Sequence, residues 1–448
     1  MATIPQVSEA VQAMLVTHAA AADAALYYTK RPDTAVLTGP VLTQALVLGW
    51  LAHPDATVEQ LAQSAARVGA DVSPQAIDQR FTFATAALLQ TVLQRSVQEV
   101  IAADPVAIPI LQRFTGVRVL DSTTITLPDA LAAHAQGCGG TTATGTSAAL
   151  KCGVQLDLLT GALCGLDLTD GRASDQRLPV QHTALPAGSM RLADLGFYDL
   201  EVLAALDAQG VYWVSKLQTN TVLRLDQERP QPLLAFVRGV GPGAQWDGEV
   251  WIGAGRRVRA RLLVQAVPQE VADQRRRRLR KEARDHGRLP SAAALALAAW
   301  TILITNAPPG LLSLPEALVV AKVRWQIELL FKLWKSHGLV DQWRSGRPAR
   351  ILCEVYGKLL AMLLQQWLLI VGCWAYPDRS LVKAAQVVRD HAIGMASAGG
   401  HLAALIREVT TLVRVLKRTA RMNSRHKRPN TYQLLLALTT QDPPGAAS

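Results

Sequence analysis

Apolar residues are spaced differently in the first and later parts of this 448-residue chain. Up to about residue 108 they recur at helical spacing, whereas from about residue 110 they form short or alternating runs that are typical of strands. Turn-forming residues separate the runs. The pattern therefore predicts a helical N-terminal part followed by a mixed α/β core.

Two of the N-terminal helices have recognisable ends. A helix from Thr57 begins with a capping-box-like sequence and ends at Gly69, and Ser73 with Pro74 begins the next helix. Two helices joined by a short turn, with polar groups at the start of the second, are how a helix-turn-helix presents side chains to a DNA major groove. An ordinary helical hairpin has the same pattern. The candidate DNA contacts are Gln75, Gln79 and Arg80.

Two predicted strands of the core end at aspartates. Residues 117–120 form a short strand that ends at Asp121, and residues 190–193 form another that ends at Asp194. The side chain after a strand projects out of the sheet, so both carboxylates are free to take part in a site. The other predicted elements here are a hairpin of 148–158 and 162–168 that turns at Thr160-Gly161, a helix at 200–206 and a strand at 211–215.

Residues 218–299 interrupt this core. They contain β-like runs at 249–252 and 257–267, and then a basic helix at 271–286. Clustered arginines usually form a solvated face, but in a basic protein they also suit a face that binds phosphates. The four consecutive arginines are Arg275, Arg276, Arg277 and Arg278.

The core resumes with a strand at 300–305, a long helix that carries Glu328, and an uncharged apolar stretch at 359–376. Gln365 and Gln366 lie at the centre of that stretch, which favours a buried core helix over a membrane span. The predicted domains are a helical DNA-binding domain at 1–108, a core in two parts at 109–217 and 300–376, a β-rich insertion with the basic helix at 218–299, and a helical C-terminal domain at 377–448.

Charge and cysteine content narrow the class of protein. The net charge is +11 and the isoelectric point about 9.7, which favours a polyanionic partner such as nucleic acid. The five cysteines are odd in number and form no C-x-x-C pair, so neither a disulfide framework nor a structural zinc site is expected. No signal peptide is apparent at the start. We expect a cytoplasmic protein, associated with the nucleoid of a bacterium or archaeon, without a membrane partner.

The helix around Glu328 combines charged and apolar positions. At about 100° per residue, Arg324, Glu328 and Lys335 fall within roughly 40° of one another and share one polar stripe. A carboxylate flanked by two cations suits a site that holds a metal ion and grips phosphate, whereas the simpler alternative is a solvated Arg–Glu pair. The residues predicted to be buried on the other side are Ile327, Leu330, Phe331 and Trp334.

Asp121, Asp194 and Glu328 together predict a metal-dependent catalytic site. Carboxylates from two strands and one helix can converge around two hard divalent cations, and oxygen ligands suit Mg²⁺ or Mn²⁺. Two such ions can activate an attacking oxygen and stabilise a leaving one in phosphoryl transfer. No P-loop, HExxH or G-x-S-x-G motif offers a competing chemistry.

The motifs around these residues resemble those of DDE transposases in the insertion-sequence-four family. Arg324-x3-Glu328-x6-Lys335 is similar to the end of the family's Tyr-Arg-Glu-Lys signature, and Leu120-Asp121-Ser-Thr resembles its first aspartate motif. Asp194-Leu-Gly-Phe197 resembles the second. Gly171-Arg-x-x-Asp175 and the strand that begins at Trp300 also resemble the family. The likeness covers roughly residues 110–376.

The resemblance implies a ribonuclease H-like catalytic core interrupted by a β-rich insertion. With the helical N- and C-terminal domains predicted above, the expected fold class is α/β. It also implies cut-and-paste transposition of an insertion sequence, with two Mg²⁺ or Mn²⁺ ions in each active site. Arg324 and Lys335 would hold DNA phosphates, and Trp300 would stack on or displace a base, although an ordinary core tryptophan fits the same strand. The signature tyrosine falls on Ala321, which puts a hairpin step in doubt; Lys322 could supply a phosphate contact instead.

The expected partners are double-stranded DNA, both the terminal inverted repeats of the element and the target, and a second copy of the chain on that DNA. The helical tail carries an apolar stripe that suits either a partner helix or the chain's own core: Leu402, Leu405, Ile406, Val409, Leu412, Val413 and Leu416. Two alternatives remain at this point. One is a nuclease that hydrolyses DNA on the same core, and the other is an inactive DNA-binding relative.

Overall fold

The computed structural model describes residues 2–31, 34–139, 147–225, 229–241, 243–253, 258–285, 287–398, 400–423 and 431–439. Over these residues the chain is mixed α/β, as predicted, with one large sheet and helices around it. The strands are β1 (Val117–Leu127), β2 (Ala148–Asp157), β3 (Leu163–Asp170), β4 (Met190–Ala193), β5 (Tyr212–Lys216), β6 (Val222–Arg224), β7 (Gln231–Pro232), β8 (Gln245–Ile252), β9 (Val258–Ala266) and β10 (Trp300–Thr305).

Helices account for most of both ends of the chain. They are α1 (Ile4–Gln12), α2 (Ala19–Leu26), α3 (Gly39–Ala52), α4 (Val58–Arg67), α5 (Pro74–Asp78), α6 (Phe83–Ser96), α7 (Pro109–Gln112), α8 (Leu200–Ala208), α9 (Leu233–Val240), α10 (Gln269–Asp285), α11 (Ala292–Leu297), α12 (Leu314–Val323), α13 (Trp325–Lys332), α14 (Pro348–Leu369), α15 (Leu381–Ser397), α16 (Leu402–Arg418) and α17 (Thr431–Thr439). In the described part of the chain, three π-helical segments continue α1, α13 and α14: Ala13–His18, Leu333–His337 and Ile370–Trp374.

The sheet has the strand order β3-β2-β1-β4-β5-β10-β9-β8-β6-β7. β1, β2 and β3 are antiparallel neighbours, and the predicted hairpin between β2 and β3 is confirmed, with Gly161 at a φ of 75° in its turn. β4 runs parallel to β1, and β5 runs parallel to β4. The strands of the predicted insertion belong to the same sheet, because β9 pairs with β10 from Ala266 opposite Trp300 to Arg261 opposite Thr305.

The first strand is longer than the sequence indicates. We expected it to end at Asp121, but β1 continues to Leu127, because residues 121–127 pair with β2 from Val154 to Ala148. Thr123, Thr124 and Thr126 in this part are β-branched and suit a strand, although their polarity hides it from an apolar pattern. Asp121 therefore lies within a strand, where the pleat fixes the direction of its side chain.

The helix predicted around Glu328 is broken into three pieces. α12 ends at Val323, the chain turns at Arg324, α13 runs to Lys332, and a π-helical segment follows to His337. A π-helix turns through a smaller angle per residue than an α-helix, so Lys335 departs from the single stripe predicted from α-helical spacing. The predicted apolar side is confirmed, since Ile327, Leu330, Phe331 and Trp334 are all buried.

The N-terminal helix ends are confirmed, but the second helix of the pair is shorter than expected. Thr57 caps α4 with a capping box, and the Ser73 side chain accepts from Ala76 N at the start of α5. α5 ends at Asp78, so Gln79 and Arg80 follow the helix instead of lying in its first turns. Thr82 then caps α6. Ile77 on α5 and Phe81 in the turn before α6 are both buried in the core.

Helix α14 crosses the centre of the protein. Together with the π-helical segment after it, α14 is the one described helix that is long and apolar enough to cross a membrane, and 94% of its most apolar window is buried inside the protein. The prediction of a buried core helix at 359–376 is thus confirmed. It packs against α3, α6 and α15, which joins the N-terminal and C-terminal helices to the core.

The apolar stripe of the tail packs inside the chain. Leu405, Val409, Leu412, Val413 and Leu416 on α16 are buried against neighbouring elements that include α1 and α15. Of the two expectations for this stripe, the partner helix is therefore wrong and the chain's own core is right. The tail's basic residues Arg414, Lys417, Arg418 and Arg421 are exposed, while Arg425, Lys427 and Arg428 lie outside the described residues.

Candidate active site

The side chain of Arg324 connects the three predicted catalytic carboxylates. Its Nη1 donates to Oδ2 of Asp121 at 2.8 Å, and its Nη2 donates to Oε1 of Glu328 at 2.8 Å and lies 3.9 Å from Oδ1 of Asp194. Because the Asp194 and Glu328 oxygens contact the same nitrogen, their separation cannot exceed the sum of those two contacts. Three carboxylates from distant parts of the sequence therefore meet around one cation.

The register of the sheet brings the two aspartates together. β1 and β4 are parallel neighbours, and the last residue pair between them is Leu120 with Ala193. Asp121 is the next residue on β1 and Asp194 is the first residue after β4, so their backbones lie side by side. α13 contacts β1 and buries Ile327, Leu330 and Phe331, so that Glu328 is turned toward the aspartates and reaches Arg324.

Burial differs among the three carboxylates. The Asp121 side chain is 18% exposed, whereas Asp194 and Glu328 are 43% and 41% exposed. Burial raises the pKa of Asp121, the backbone N–H of Ser122 and the guanidinium of Arg324 lower it, and the charges of Asp194 and Glu328 raise it again. The site is thus most buried at Asp121 on β1 and is open to solvent at Asp194 and Glu328.

The donor set fits a divalent cation in its chemistry. Carboxylate oxygens are the ligands that Mg²⁺ and Mn²⁺ prefer, and three carboxylates exceed the single positive charge of Arg324. Within the described part of the chain, no three His, Cys, Asp or Glu side chains are already arranged to hold a metal ion. The guanidinium of Arg324 lies between these three, so a metal can be shared among them only after Arg324 moves.

Lys335 lies near the site but is engaged with the protein. Its Nζ donates to the backbone oxygen of Thr124 on β1 at 2.8 Å. Lys322 is exposed on α12, one turn before α13, and Ala321 packs partly against the main core. Trp300 is half-buried at the start of β10 and packs against the apolar cluster that joins α8, β5, β8 and β9. The structure thus brings Arg324 into the carboxylate cluster, but not the other predicted DNA contacts.

The basic helix α10 has an anchored side and an exposed side. Arg275 donates to the backbone oxygen of Trp300 at 2.8 Å and to Oγ1 of Thr301 at 3.0 Å, and burial lowers its pKa. Arg276 donates to Leu295 O and to Asp273. Arg277 and Arg278 are exposed. Arg278 pairs with Glu282, and this bond, with a smaller effect of the Glu328 charge, raises the pKa of Arg278. One side of the helix is therefore tied to β10, while Arg277 and Arg278 are left exposed.

Two exposed side chains next to the carboxylate-bearing segments, Lys216 and Trp325, were not predicted from the sequence. Lys216 ends β5, and its Nζ lies 3.7 Å from Oδ1 of Asp194. A lysine at the end of the strand next to an aspartate-bearing strand was the signal that could have found it. Trp325, between Arg324 and Glu328 in the sequence, is 51% exposed although tryptophan usually buries its ring. Both add surface that can contact a bound molecule.

Comparison with known proteins identifies the family. The sequence profile of the family described as Transposase DDE domain matches residues 112–364, which is more than half of the chain. The transposase for insertion sequence element IS231E of Bacillus thuringiensis subsp. finitimus is 26% identical over 345 residues, covering 71% of each chain. The transposase of IS231D from the same organism is 24% identical over 424 residues and covers 87% of each. The transposase of IS1151 from Clostridium perfringens is 24% identical over 269 residues, 56% of each. The chain belongs to the DDE transposase family, and it is a DNA transposase.

Proposed function

We propose that this transposase moves its insertion sequence by a cut-and-paste route, in which it cleaves the ends of the element and joins them to target DNA. The observation that carries the proposal is the meeting of Asp121, Asp194 and Glu328 around Arg324. The three carboxylates lie in the matched DDE domain, and two of them remain accessible to a bound substrate.

Asp121, Asp194 and Glu328 would hold the divalent metal. When two such ions are bound, they activate an attacking oxygen and stabilise the leaving oxygen of a phosphodiester. The more buried Asp121 fixes the site to β1, while the more exposed Asp194 and Glu328 face the solvent from which DNA arrives. Oxygen-only ligands favour Mg²⁺ or Mn²⁺ over softer metals.

Arg324 has two tasks in this proposal. Without DNA it balances the three carboxylates, and with DNA its planar guanidinium turns to a phosphate beside the cleaved bond. Arginine suits both partners because its fork of N–H donors matches carboxylate and phosphate alike. Lys216 beside Asp194, Lys322 on α12 and Lys335 after α13 supply further positive charge for the same strand. Trp300 stacks on a base near the cleaved end.

DNA away from the cleaved bond is bound by separate surfaces. The N-terminal helices read the element end, with Gln75, Gln79 and Arg80 exposed on and after α5. The exposed side of α10, including Arg277 and Arg278, and the exposed basic residues of α16 grip phosphates without sequence preference. In this division the N-terminal helices recognise the sequence of the element end, and α10 and α16 provide affinity for any DNA sequence.

Synapsis of two element ends requires two active sites, so we propose a dimer that forms on DNA. The stripe of α16 is used within the chain and does not supply this contact. Size measurements should therefore be made on the complex with end DNA, where each protomer is bound to one end.

A cleavage and joining assay tests the proposal. Purified protein is incubated with Mg²⁺ and a labelled duplex that carries one terminal inverted repeat of the element that encodes the chain, together with an unlabelled target plasmid. We expect a nick at the end of the repeat and labelled DNA joined to the plasmid. Glu328→Gln, which keeps the size of the side chain, should give neither product while it still binds the duplex.

The nuclease alternative gives a different product. A metal-dependent nuclease on the same core would cleave the duplex but leave the target plasmid unlabelled, even when the 3′-OH of the cut end is supplied in advance. Joining of such a pre-cut end by the wild-type protein, and not by Glu328→Gln, would exclude the nuclease. Cleavage without any joined DNA would contradict the transposition proposal.

A further inference from the structure

A segment with no part in the proposed chemistry connects the two aspartates. Residues 171–181, which we call the brace, follow β3 and contact both β1 and the turn after β4. Oδ1 of Asp175 in the brace accepts a hydrogen bond from Oγ of Ser122 at 2.8 Å. Ser122 follows Asp121 on β1, and its backbone N–H donates to Oδ1 of Asp121 at 2.8 Å. Since successive strand residues point to opposite faces, Asp175 holds β1 from the face opposite to the Asp121 carboxylate.

The other oxygen of Asp175 lies against the turn that follows Asp194. A Cβ added to Gly196 would lie 2.5 Å from Oδ2 of Asp175, which is closer than real Cβ atoms approach an oxygen. Any larger residue at position 196 would therefore force the carboxylate and the Asp194-Leu-Gly turn apart. The Asp175 side chain thus contacts both Ser122, which follows Asp121, and Gly196, which is two residues after Asp194.

Asp175 is itself held in place by Lys151 of β2. The Nζ of Lys151 is 3.1 Å from Oδ1 of Asp175 and also donates to the backbone oxygen of Ala173. The Lys151 side chain is 14% exposed and Asp175 is 28% exposed, so this pair is well shielded for two charges. An ion pair that also satisfies a backbone carbonyl fixes the geometry of the brace more strongly than an exposed pair would.

Further contacts tie the brace to the same turn. Nε2 of Gln176 donates to Tyr198 O at 2.7 Å, and Nε2 of Gln181 donates to Phe197 O at 3.0 Å. A small apolar cluster lies beneath these bonds and joins β1, the brace and the turn: Leu120, Leu178, Val180 and Phe197. The brace is thus packed against both aspartate motifs, and Asp175 is its charged contact with each of them.

We propose that Asp175, oriented by Lys151, is a positioning residue that sets the spacing of Asp121 and Asp194 and so prepares them to share a metal. The inference rests on the proposed function, because it concerns the metal-binding role of those two aspartates. Groups that orient metal ligands from behind typically change metal affinity or activity by about 10–100-fold when they are removed. Asp175 touches neither the metal nor DNA in this proposal.

The test measures Mn²⁺ bound to the complex of protein and end DNA by electron paramagnetic resonance, with the Asp121→Ala complex as the blank. We expect Asp175→Ala to weaken the Mn²⁺ binding that depends on Asp121 by about tenfold or more. It should raise the Mn²⁺ concentration needed for half-maximal cleavage by a similar factor while the affinity for end DNA without metal stays unchanged. Asp175→Asn, which can still accept from Ser122, should recover part of the loss.

Asp129→Ala is the matched control. Oδ1 of Asp129 accepts from Oγ and N of Ser147 at 2.8 Å each, so it makes the same kind of serine–carboxylate bond away from the site. This variant should leave Mn²⁺ binding unchanged. If Asp175→Ala behaves like Asp129→Ala, Asp175 is only structural and the proposal is overturned.

A double-mutant cycle tests the contact with Gly196 directly. Gly196→Ala forces the turn and the Asp175 carboxylate apart, so alone it should also weaken Mn²⁺ binding. In Asp175→Ala the nearest remaining atom is Cβ, at 3.5 Å from the added methyl, an ordinary contact. The double variant should therefore be no worse than Asp175→Ala alone, whereas additive losses would contradict the proposal.

Failure of the brace and failure of the proposed function give different results. If Asp121→Ala removes Mn²⁺ binding and cleavage but Asp175→Ala changes neither, the brace alone is overturned. If Asp121→Ala binds as much Mn²⁺ as the wild-type protein, the proposed catalytic site is wrong. The brace then has no metal ligands to position.

Discussion

Arg324 and Asp121 are 203 residues apart in the chain, yet Nη1 of Arg324 donates to Oδ2 of Asp121 at 2.8 Å. This bond joins β1 to the start of α13 across the proposed active site. It also places the cation of the Arg-x3-Glu motif in the middle of the carboxylates. Most of the behaviour we expect of the site follows from this pairing.

Removing Arg324 should destabilise the protein when no metal is present. In Arg324→Gln three carboxylates face one another without their shared cation, and their repulsion favours the unfolded state. We expect a lower melting temperature in EDTA at neutral pH and low salt, and a smaller difference in 1 M NaCl, where charges are screened over about 3 Å. An equal melting temperature for both proteins at low salt would show that Arg324 does not balance the cluster.

Asp121→Asn should have the opposite effect on stability. Because burial raises the pKa of Asp121, its folded state holds the proton more tightly than the unfolded state. The stability from this group is present below the ordinary pKa of 3.8 and is lost as pH rises through the raised value. In EDTA at pH 7 the asparagine variant should therefore melt higher, by a few degrees at most, and the gain should shrink toward pH 4.

Asp129 provides a control, because its pKa is shifted in the direction opposite to that of Asp121. The bonds from Ser147 lower the pKa of Asp129, so ionised Asp129 stabilises the folded state at neutral pH and that stability is lost as pH falls through the lowered pKa. Asp129→Asn should melt lower at pH 7. A lower melting temperature for Asp121→Asn as well would contradict the sign assigned to Asp121.

The two sides of α10 should respond differently to substitution. Arg277→Ala removes an exposed charge, so it should weaken binding to any DNA sequence and reduce the salt slope of log K by about 0.9 if it contacts one phosphate. Arg275→Ala removes a side chain bonded to Trp300 and Thr301, so it should lower the melting temperature as well. The measurement is a salt titration of DNA binding by both variants. Equal salt slopes for Arg277→Ala and wild type would exclude α10 as a phosphate-binding face.

The α16 stripe should behave as part of the core. Leu412 is fully buried, so Leu412→Ala should cost about 2–5 kcal/mol of folding free energy and lower the melting temperature clearly. Ile393→Ala on α15, where the side chain is 43% exposed, is the control and should change it little. If Leu412→Ala keeps its stability and loses only the pairing of DNA ends, the stripe contacts a partner after all.

Much of the core could be predicted because its signals are local. Apolar runs located most of its strands, and an aspartate at the predicted end of two of them marked Asp121 and Asp194. In the N-terminal part, the capping residues Thr57 and Ser73 located the starts of α4 and α5. The family membership now implies the ribonuclease H-like core that the motif resemblance suggested. The burial of Ile327, Leu330 and Phe331 could be predicted from helical spacing, because these residues share one face of α13.

What could not be predicted depends on contacts between distant residues. The break at Arg324 and the π-helical turn that carries Lys335 have no local signal, and helical geometry alone predicted one straight stripe. The length of β1 depends on its pairing with β2, which the threonines of residues 121–127 did not reveal. The sequence alone could not show that the apolar stripe of α16 packs inside the chain, because this depends on α1 and α15, which cover it.

Anomalous diffraction from crystals of the protein bound to end DNA and Mn²⁺ tests the central claim most directly. We predict Mn²⁺ peaks at coordination distance, about 2.1 Å, from carboxylate oxygens of Asp121, Asp194 and Glu328, with Arg324 turned away from them toward a DNA phosphate. Mn²⁺ bound at other residues, with Arg324 still between the three carboxylates beside the DNA, would contradict the assignment of the active site.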